Sequence, residues 1–345
     1  MMQIILLSRL RIHGETLYKK LGKLYDVVWV GRRFPYSLNF INAPFLLFYE
    51  FLCLLRYHNI RIRSQTRIIL VHFISLDCLV AFLFKKIFGY KVILYAIGSD
   101  VLGVRNAIQQ NFLKRALSEA DKVLCVNRII ENHVRSMGYK NTAILPTPFL
   151  EPNEKNYFGE KEYDIISVGA LTPVKAHSLL IQSCRYLDRS TTIAIVGEGP
   201  LKSYLTNLAR QYENHKILFL GFLPKEKLWI EYQKARVYVH TSIREGIPSS
   251  ILEAMWFGLP IVSIKSSFTD DLTSLYKFKI FVVEKRSPYL LATTIERVLE
   301  NYENYEKVIN LNKELLQDYI RNWNYKLKLK NNIQGFLVVG TVTDN

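Results

Sequence analysis

Twelve short apolar runs, rich in β-branched residues, constrain the fold of this chain more than any other feature. Six lie in the first part, at Ile4–Leu7, Asp26–Val30, Ile68–Val71, Val92–Tyr95, Val123–Val126 and Ala143–Leu145. Six more lie at Asp164–Val168, Thr192–Val196, Ile217–Leu220, Val237–His240, Pro260–Ile264 and Ile280–Val283. Each is nearly continuous in apolar residues rather than alternating, the pattern of strands buried on both faces of a parallel sheet. Helical segments such as Asn111–Ala120, Ile129–Met137, Ala176–Tyr186 and Leu201–Tyr212 fall between them. Strand and helix alternating at this spacing predict an α/β protein with doubly wound sheets.

The alternation breaks once, at Pro146–Glu162, where three prolines, a glycine and several charges read as a linker. The expected organisation is two Rossmann-like domains, 1–150 and 151–322, facing across a cleft. Ligands of such sheets bind beyond the carboxyl ends of the strands, so the residues following each strand are the ones to inspect.

Charge narrows the partners. The 345 residues carry a net charge of +16. Residues 1–150 hold 21 Lys and Arg against 8 Asp and Glu, a net +13. So basic a first half implies an acidic partner: nucleic acid, anionic lipid or a phosphorylated substrate. With 49% hydrophobic residues the chain can bury large cores and is not disordered. Its four cysteines form no Cys-x-x-Cys pair, so neither a disulfide framework nor a zinc site is expected. No uncharged apolar stretch is long enough to span a bilayer. The N-terminal residues read as a first strand rather than a signal peptide. The expectation is a cytoplasmic protein.

Four post-strand segments carry the candidate chemistry. In "VGALTPVKAHSLLI", Gly169 ends a strand and Lys175 precedes a helix, where a cation can meet a phosphate beside helix amides. In "IVGEGPLKSYL", Gly197 and Gly199 make a strand-to-helix turn, a weak signal equally read as ordinary structure. In "LGFLPKEKL", the backbone at Gly221 and Phe222 can face a nucleotide base. The fourth, "REGIPSSILEAMWFGLPIV", places Glu245 on a loop and Glu253 one turn into a helix, separated by seven residues. Gly246 offers a permissive backbone, Pro248 or Ser249 opens the helix, and the serines can cap it. A carboxylate accepts two hydroxyls, so Glu253 can take a ribose and Glu245 a second sugar or the reacting carbon.

Together these four segments resemble the retaining glycosyltransferases of family 4, which have the GT-B fold. The resemblance covers most of residues 163–265. It implies that Glu253 holds the ribose of a nucleotide-sugar donor, Glu245 sits at the donor sugar and reaction centre, and Lys175 neutralises the diphosphate. It also implies that Gly169 and the backbone of Gly246, Ile247, Pro248 and Ser249 contact sugar and phosphate, with the base against Gly221 and Phe222. "NWNYKLKLKNNI" is similar to the family's last helix, which crosses back to the first domain, so 323–345 form a separate C-terminal segment. In the first domain, "LYAIGSDVL" resembles the family's His-Gly-Ser-Asp turn and "RLRIHGETLYKKL" its glycine loop, which brings Asp100 and Gly14 into the donor set.

The chain departs from the family at several points. Ala170 stands where an arginine is usual and Ile97 where a histidine is usual; Arg105 and Arg244 are candidate replacements for the missing cation. Asp-x-Asp is absent, so neither a metal nor a resident cofactor is expected. The implied activity is retaining transfer of a sugar from a nucleotide-sugar donor to a glycan acceptor, such as a lipid-linked one. Alternatives are a nucleotide-sugar epimerase, an inactive sugar-nucleotide-binding subunit and, from a different class, a nucleic-acid-binding protein. The last has charge in its favour but no recognition motif. Finally, "PFLLFYEFLCLLRYHNIRIRSQTR" joins Phe45, Phe48, Tyr49, Phe51, Leu54 and Leu55 to Arg56, Arg61, Arg63 and Arg67. An apolar helix followed by cations suits peripheral contact with the cytoplasmic face of an anionic membrane; a core helix with solvated arginines is the alternative.

Overall fold

A computed structural model of the chain describes residues 3–7, 11–22, 26–30, 43–60, 67–104, 106–152 and 159–328. The chain divides into two compact units, Met1–Leu150 with Trp323–Asn345, and Glu151–Asn322. Each is built on one six-stranded parallel sheet.

The first sheet has the order β2-β1-β3-β4-β5-β6. Its strands are β1 (Gln3–Leu7), β2 (Asp26–Val30), β3 (Arg67–His72), β4 (Lys91–Ala96), β5 (Lys122–Cys125) and β6 (Thr142–Ile144). The helices are α1 (Arg11–Gly22), α2 (Ala43–Ile60), α3 (Asp77–Phe88), α4 (Ser99–Leu102), α5 (Ala107–Glu119) and α6 (Arg128–Ser136). β1 lies between β2 and β3, with Ile4 level with Val27 on one side and Ile68 on the other. Ile4–Leu7 and Ile68–Val71 are buried, as strands covered on both faces must be.

The second sheet has the order β12-β11-β10-β7-β8-β9. Its strands are β7 (Tyr163–Val168), β8 (Thr192–Val196), β9 (Lys216–Gly221), β10 (Ala235–His240), β11 (Ile261–Ile264) and β12 (Phe281–Val283). The helices are α7 (His177–Ser183), α8 (Lys202–Ala209), α9 (Lys225–Gln233), α10 (Ser249–Trp256), α11 (Ser267–Asp270) and α12 (Pro288–Glu300), and α13 (Glu306–Lys328) begins in this unit and ends among the residues grouped with the first. The strand order reverses between β7 and β10, and loops diverge from such a switch point to leave a crevice at the strand ends. The loops after β7 and β10 carry Gly169, Lys175 and Glu245.

Two expectations for the first unit change. Gly14 lies inside α1, which begins at Arg11, and not in a loop. Arg67 is not part of a cationic tail behind α2: it belongs to β3, where it is half-buried with its guanidinium 5.8 Å over the Tyr90 ring. Arg61, Arg63 and Arg105 lie outside the described residues.

Candidate donor site

Backbone atoms form the floor of the site. The ends of β7, β8 and β9 are tied by hydrogen bonds from Gly169 N to Val196 O (2.9 Å), Gly197 N to Gly221 O (2.8 Å) and Leu171 N to Glu198 O (2.9 Å). Two glycines make this approach possible. At Gly197, with φ of +143°, an added Cβ would stand 2.0 Å from the Gly169 carbonyl oxygen. At Gly199 it would stand 2.5 Å from the Leu171 carbonyl oxygen. The Gly-x-Gly of this turn is therefore a contact between two loops, which its sequence left undecided.

Lys175 crosses this floor. A Cβ at Gly169 would meet the Lys175 stem at 3.1 Å, so glycine there leaves the stem its path. His177 secures the same loop, with Nε2 3.3 Å from the Gly169 oxygen and Nδ1 3.3 Å from Ser167 Oγ. Both contacts are made if Nε2 carries the proton and donates to the carbonyl while Nδ1 accepts from the hydroxyl. Burial pushes the His177 pKa down to about 4, so the ring is neutral at pH 7.

The loop after β10 is fastened to the loop after β7. Thr241 Oγ1 donates to Lys175 O at 2.8 Å, and Ile243 N to Val174 O at 2.8 Å. From the far side Arg286 donates to Thr241 O at 3.0 Å and Ser242 O at 3.5 Å. This brings the Lys175 ammonium into an ion pair with Glu245 Oε1. Their side chains keep 24% and 20% exposure, enough for an incoming group to reach either one.

Glu253 sits deeper, with 5% of its side chain exposed. Lys225, the first residue of α9, pairs with its Oε1, and the Tyr232 hydroxyl stands 3.4 Å from its Oε2. Burial and then the Glu253 charge hold the Tyr232 phenol well above its ordinary pKa, so it remains a donor. Tyr238 also rises, through burial foremost and then through Glu253 and Glu245, against a lowering hydrogen bond with Ser250. One phenol feels both carboxylates, which places them around one locus. His240, stacked on Tyr238, is held neutral by burial and by the Lys175 charge.

The structure brings Lys175, Glu245, Glu253, Gly169 and the Gly246–Ser249 turn to the β7/β10 switch point. Gly221, left-handed at φ +70°, ends β9 beside them, and Phe222 follows it with 53% exposure. Two local expectations are corrected. Gly246 is not among the glycines of positive φ, so a left-handed backbone is not what glycine supplies there. No serine caps α10: its N-cap is Pro248, and the Ser250 hydroxyl instead takes a 2.8 Å hydrogen bond from Tyr238. Asp100, in the first unit, spends its carboxylate on backbone amides of Ile74 (3.0 Å), Ile97 (3.1 Å) and Gly98 (2.7 Å). It clasps the turns after β3 and β4, and any part in ligand binding is exerted through those turns. Among the described residues no group of three or more His, Cys, Asp or Glu side chains is placed to hold a metal ion.

Sequence reasoning missed Lys225, Tyr232, His177 and Arg286. "KEK" offers two lysines, and only the start of α9 at Lys225 directs the first of them at Glu253.

The profile of the family "Glycosyl transferases group 1" matches residues 151–315. An uncharacterized glycosyltransferase of Haemophilus influenzae is 27% identical over 207 residues, covering 59% of this chain and 56% of the relative. The putative colanic acid biosynthesis glycosyltransferase WcaL of Salmonella typhimurium is 30% identical over 167 residues, 45% of this chain and 41% of the relative. The chain thus spans about half the length of the curated relatives it matches. Among solved structures, sucrose-phosphate synthase from Thermosynechococcus elongatus superposes with a TM-score of 0.74 at 14% identity, covering 95% of this chain and 98% of that one. Anabaena Alr3699/HepE, in complex with UDP and glucose, gives 0.70 at 15% identity, covering 95% and 99%. At such identities these likenesses speak for the fold, two parallel Rossmann-like sheets of GT-B type. Residues 151–315, which carry both acids and both lysines of the site, are thus similar to the group 1 glycosyltransferases.

Proposed function

We propose that the protein transfers a sugar from a nucleotide-sugar donor to a glycan acceptor with retention at the anomeric carbon. The observation that carries this reading is the pair of acid–lysine couples, Lys175–Glu245 and Lys225–Glu253, beside a backbone floor at the sheet's switch point. Glu253 accepts the two ribose hydroxyls and Glu245 faces the donor sugar. As the bond from sugar to diphosphate breaks, positive charge grows on the ring and negative charge on the departing phosphate. Lys175 and the amides at the start of α10 stabilise the latter. The departing phosphate oxygen takes the acceptor's proton on the same face. The resemblance of residues 151–315 to a retaining, nucleotide-sugar-dependent family supports retention.

Uracil is the base to test first, since HepE was solved with UDP-glucose and a pneumococcal O-GlcNAc transferase with UDP and GlcNAc. Relatives named for colanic acid and amylovoran biosynthesis support a polysaccharide intermediate as acceptor. A panel of nucleotide-sugars, scored by thermal stabilisation and slow hydrolysis, tests the reading. One nucleoside diphosphate is expected to stabilise the protein. Glu245→Ala is expected to abolish turnover while sparing nucleotide binding, and unchanged turnover would remove Glu245 from the chemistry.

The first unit supports a lipid-linked acceptor at an anionic membrane surface. On α2, Phe48, Tyr49 and Leu52 are 59%, 39% and 46% exposed. On α3, Leu79, Leu83 and Ile87 form a stripe at helical spacing, each more than 40% exposed. A groove of about 490 Å³ between α3 and α5 is lined by Leu79, Leu83 and Phe112 and edged by Lys86 and Arg115. Apolar helix faces edged with cations suit peripheral contact. No helix among the described residues is long and apolar enough to cross a membrane. Flotation with anionic liposomes, lost in high salt or with neutral lipid, is the expected result; salt-insensitive or absent binding counts against it.

A further inference from the structure

We infer that Lys225 is the second phosphate-binding cation of the site, transferred from Glu253 to the diphosphate when the donor binds. The inference rests on the donor reading above and deepens it. Ala170 deprives the floor of the guanidinium that the resemblance leads one to expect there. Arg105 lies outside the described residues, which leaves Arg244 of the two sequence candidates. Lys225 is better placed. Its ammonium already touches the carboxylate assigned to the ribose, and the first phosphate of a nucleotide is attached to that same ribose.

The resting charges explain why an exchange is favoured. Each acid of the site carries one lysine, so these four groups sum to zero before a ligand arrives. Both pairs are largely withdrawn from water, where leaving a charge uncompensated is costly. A nucleoside diphosphate brings hydroxyls for the carboxylates and negative charge for the ammonium groups. The ribose hydroxyls donate to Glu253 in place of Lys225, and Tyr232 retains its hold on the other carboxylate oxygen. The released ammonium swings on its flexible four-carbon stem towards the phosphates. Among the described residues Lys225 has no ion partner other than Glu253, so nothing else detains it. It also opens α9, where the helix dipole favours the negative group that it would be holding.

The exchange makes a distinction that simple charge attraction does not. A nucleoside without phosphates must displace Lys225 and offers it nothing in return. A diphosphate without nucleoside finds Lys225 still held by Glu253. Only the two together complete the exchange, so nucleoside and pyrophosphate are expected to bind cooperatively.

Calorimetric titration of the full chain tests this. Uridine, guanosine and adenosine diphosphates are compared first, and the tightest is taken forward with its nucleoside and with inorganic pyrophosphate. In Lys225→Met the diphosphate is expected to lose about tenfold or more in affinity, the scale of a charge-assisted hydrogen bond. The nucleoside is expected to bind equally or more tightly, because its competitor has gone. Lys225→Arg should retain most of the diphosphate affinity. On the wild-type protein, saturating nucleoside should tighten pyrophosphate binding several-fold, and by linkage pyrophosphate should tighten nucleoside binding by the same factor. Equal loss of nucleoside and diphosphate in Lys225→Met, or a pyrophosphate affinity indifferent to nucleoside, overturns the exchange. Failure of the wild-type protein to bind any nucleoside diphosphate is a different result, and it removes the donor reading itself.

Discussion

Replacing Gly197 by alanine tests the backbone floor directly. Gly197 has φ of +143°, a region that is essentially glycine's alone, and forcing another residue into it costs about 1–3 kcal/mol. The new methyl would also stand 2.0 Å from the Gly169 oxygen, so the β7 and β8 loops must part by more than an ångström. That separation strains the bonds from Gly169 N to Val196 O and from Gly197 N to Gly221 O, each worth about 1 kcal/mol. The sum is about 3–5 kcal/mol. For a unit of this size, each kcal/mol lowers Tm by roughly 2–4 °C, which gives a fall of about 10 °C. Gly22→Ala is the control, since nothing among the described residues lies within 4 Å of its added methyl and its φ is not positive. Thermal unfolding of the two variants beside wild type is the assay, followed by nucleotide titration. A Gly197→Ala protein melting within about 2 °C of wild type would refute the claim that these loops are held in backbone contact.

Three further outcomes are expected. Glu253→Gln keeps the shape of the side chain but loses the charge, so nucleoside affinity should fall by about 1.5–3 kcal/mol in titration; unchanged affinity would move the ribose elsewhere. His177 is neutral when folded, with its pKa lowered to about 4 from an unfolded value near 6.5, so the unfolded chain takes up the proton first as pH drops. Its stabilising share is complete above about pH 6.5 and is lost towards pH 4, roughly 3 kcal/mol in all, and His177→Gln should flatten that slope in urea unfolding at several pH values. Arg286→Met frees the loop that presents Glu245 without touching the ribose carboxylate, so turnover should fall about tenfold while nucleotide affinity stays near wild type; equal losses in both would make Arg286 a general support of the fold.

The strands were legible because burial on both faces leaves a mark in sequence. Asp26–Val30 and Thr192–Val196, read from their residues, coincide with β2 and β8. The start of α10 beside Pro248 was equally plain, since proline favours a helix entrance and not a helix interior. The fate of Gly14 was not, because a glycine before a charged run is compatible with a loop and with a tolerated helix interior. The two acids could be named from their spacing, but their lysine partners follow from helix phase and loop contact. Lys225 and Glu253 are 28 residues apart, and no local pattern connects them. Arg286 is more distant still from the carbonyls it holds, and those carbonyls have no sequence identity to read.

A floor made of peptide groups separates the part of the site that must stay fixed from the part that can change. The bonds joining residues 169, 171, 196, 197, 198 and 221 use only main-chain atoms, so the side chains at 170, 198 and 222 are not among their terms. Exchanges at Ala170, Glu198 and Phe222 are therefore expected to leave the scaffold intact, whereas an added Cβ at Gly197 or Gly199 would collide with a main-chain carbonyl oxygen. A mutational library aimed at a new sugar or base would begin with those three positions.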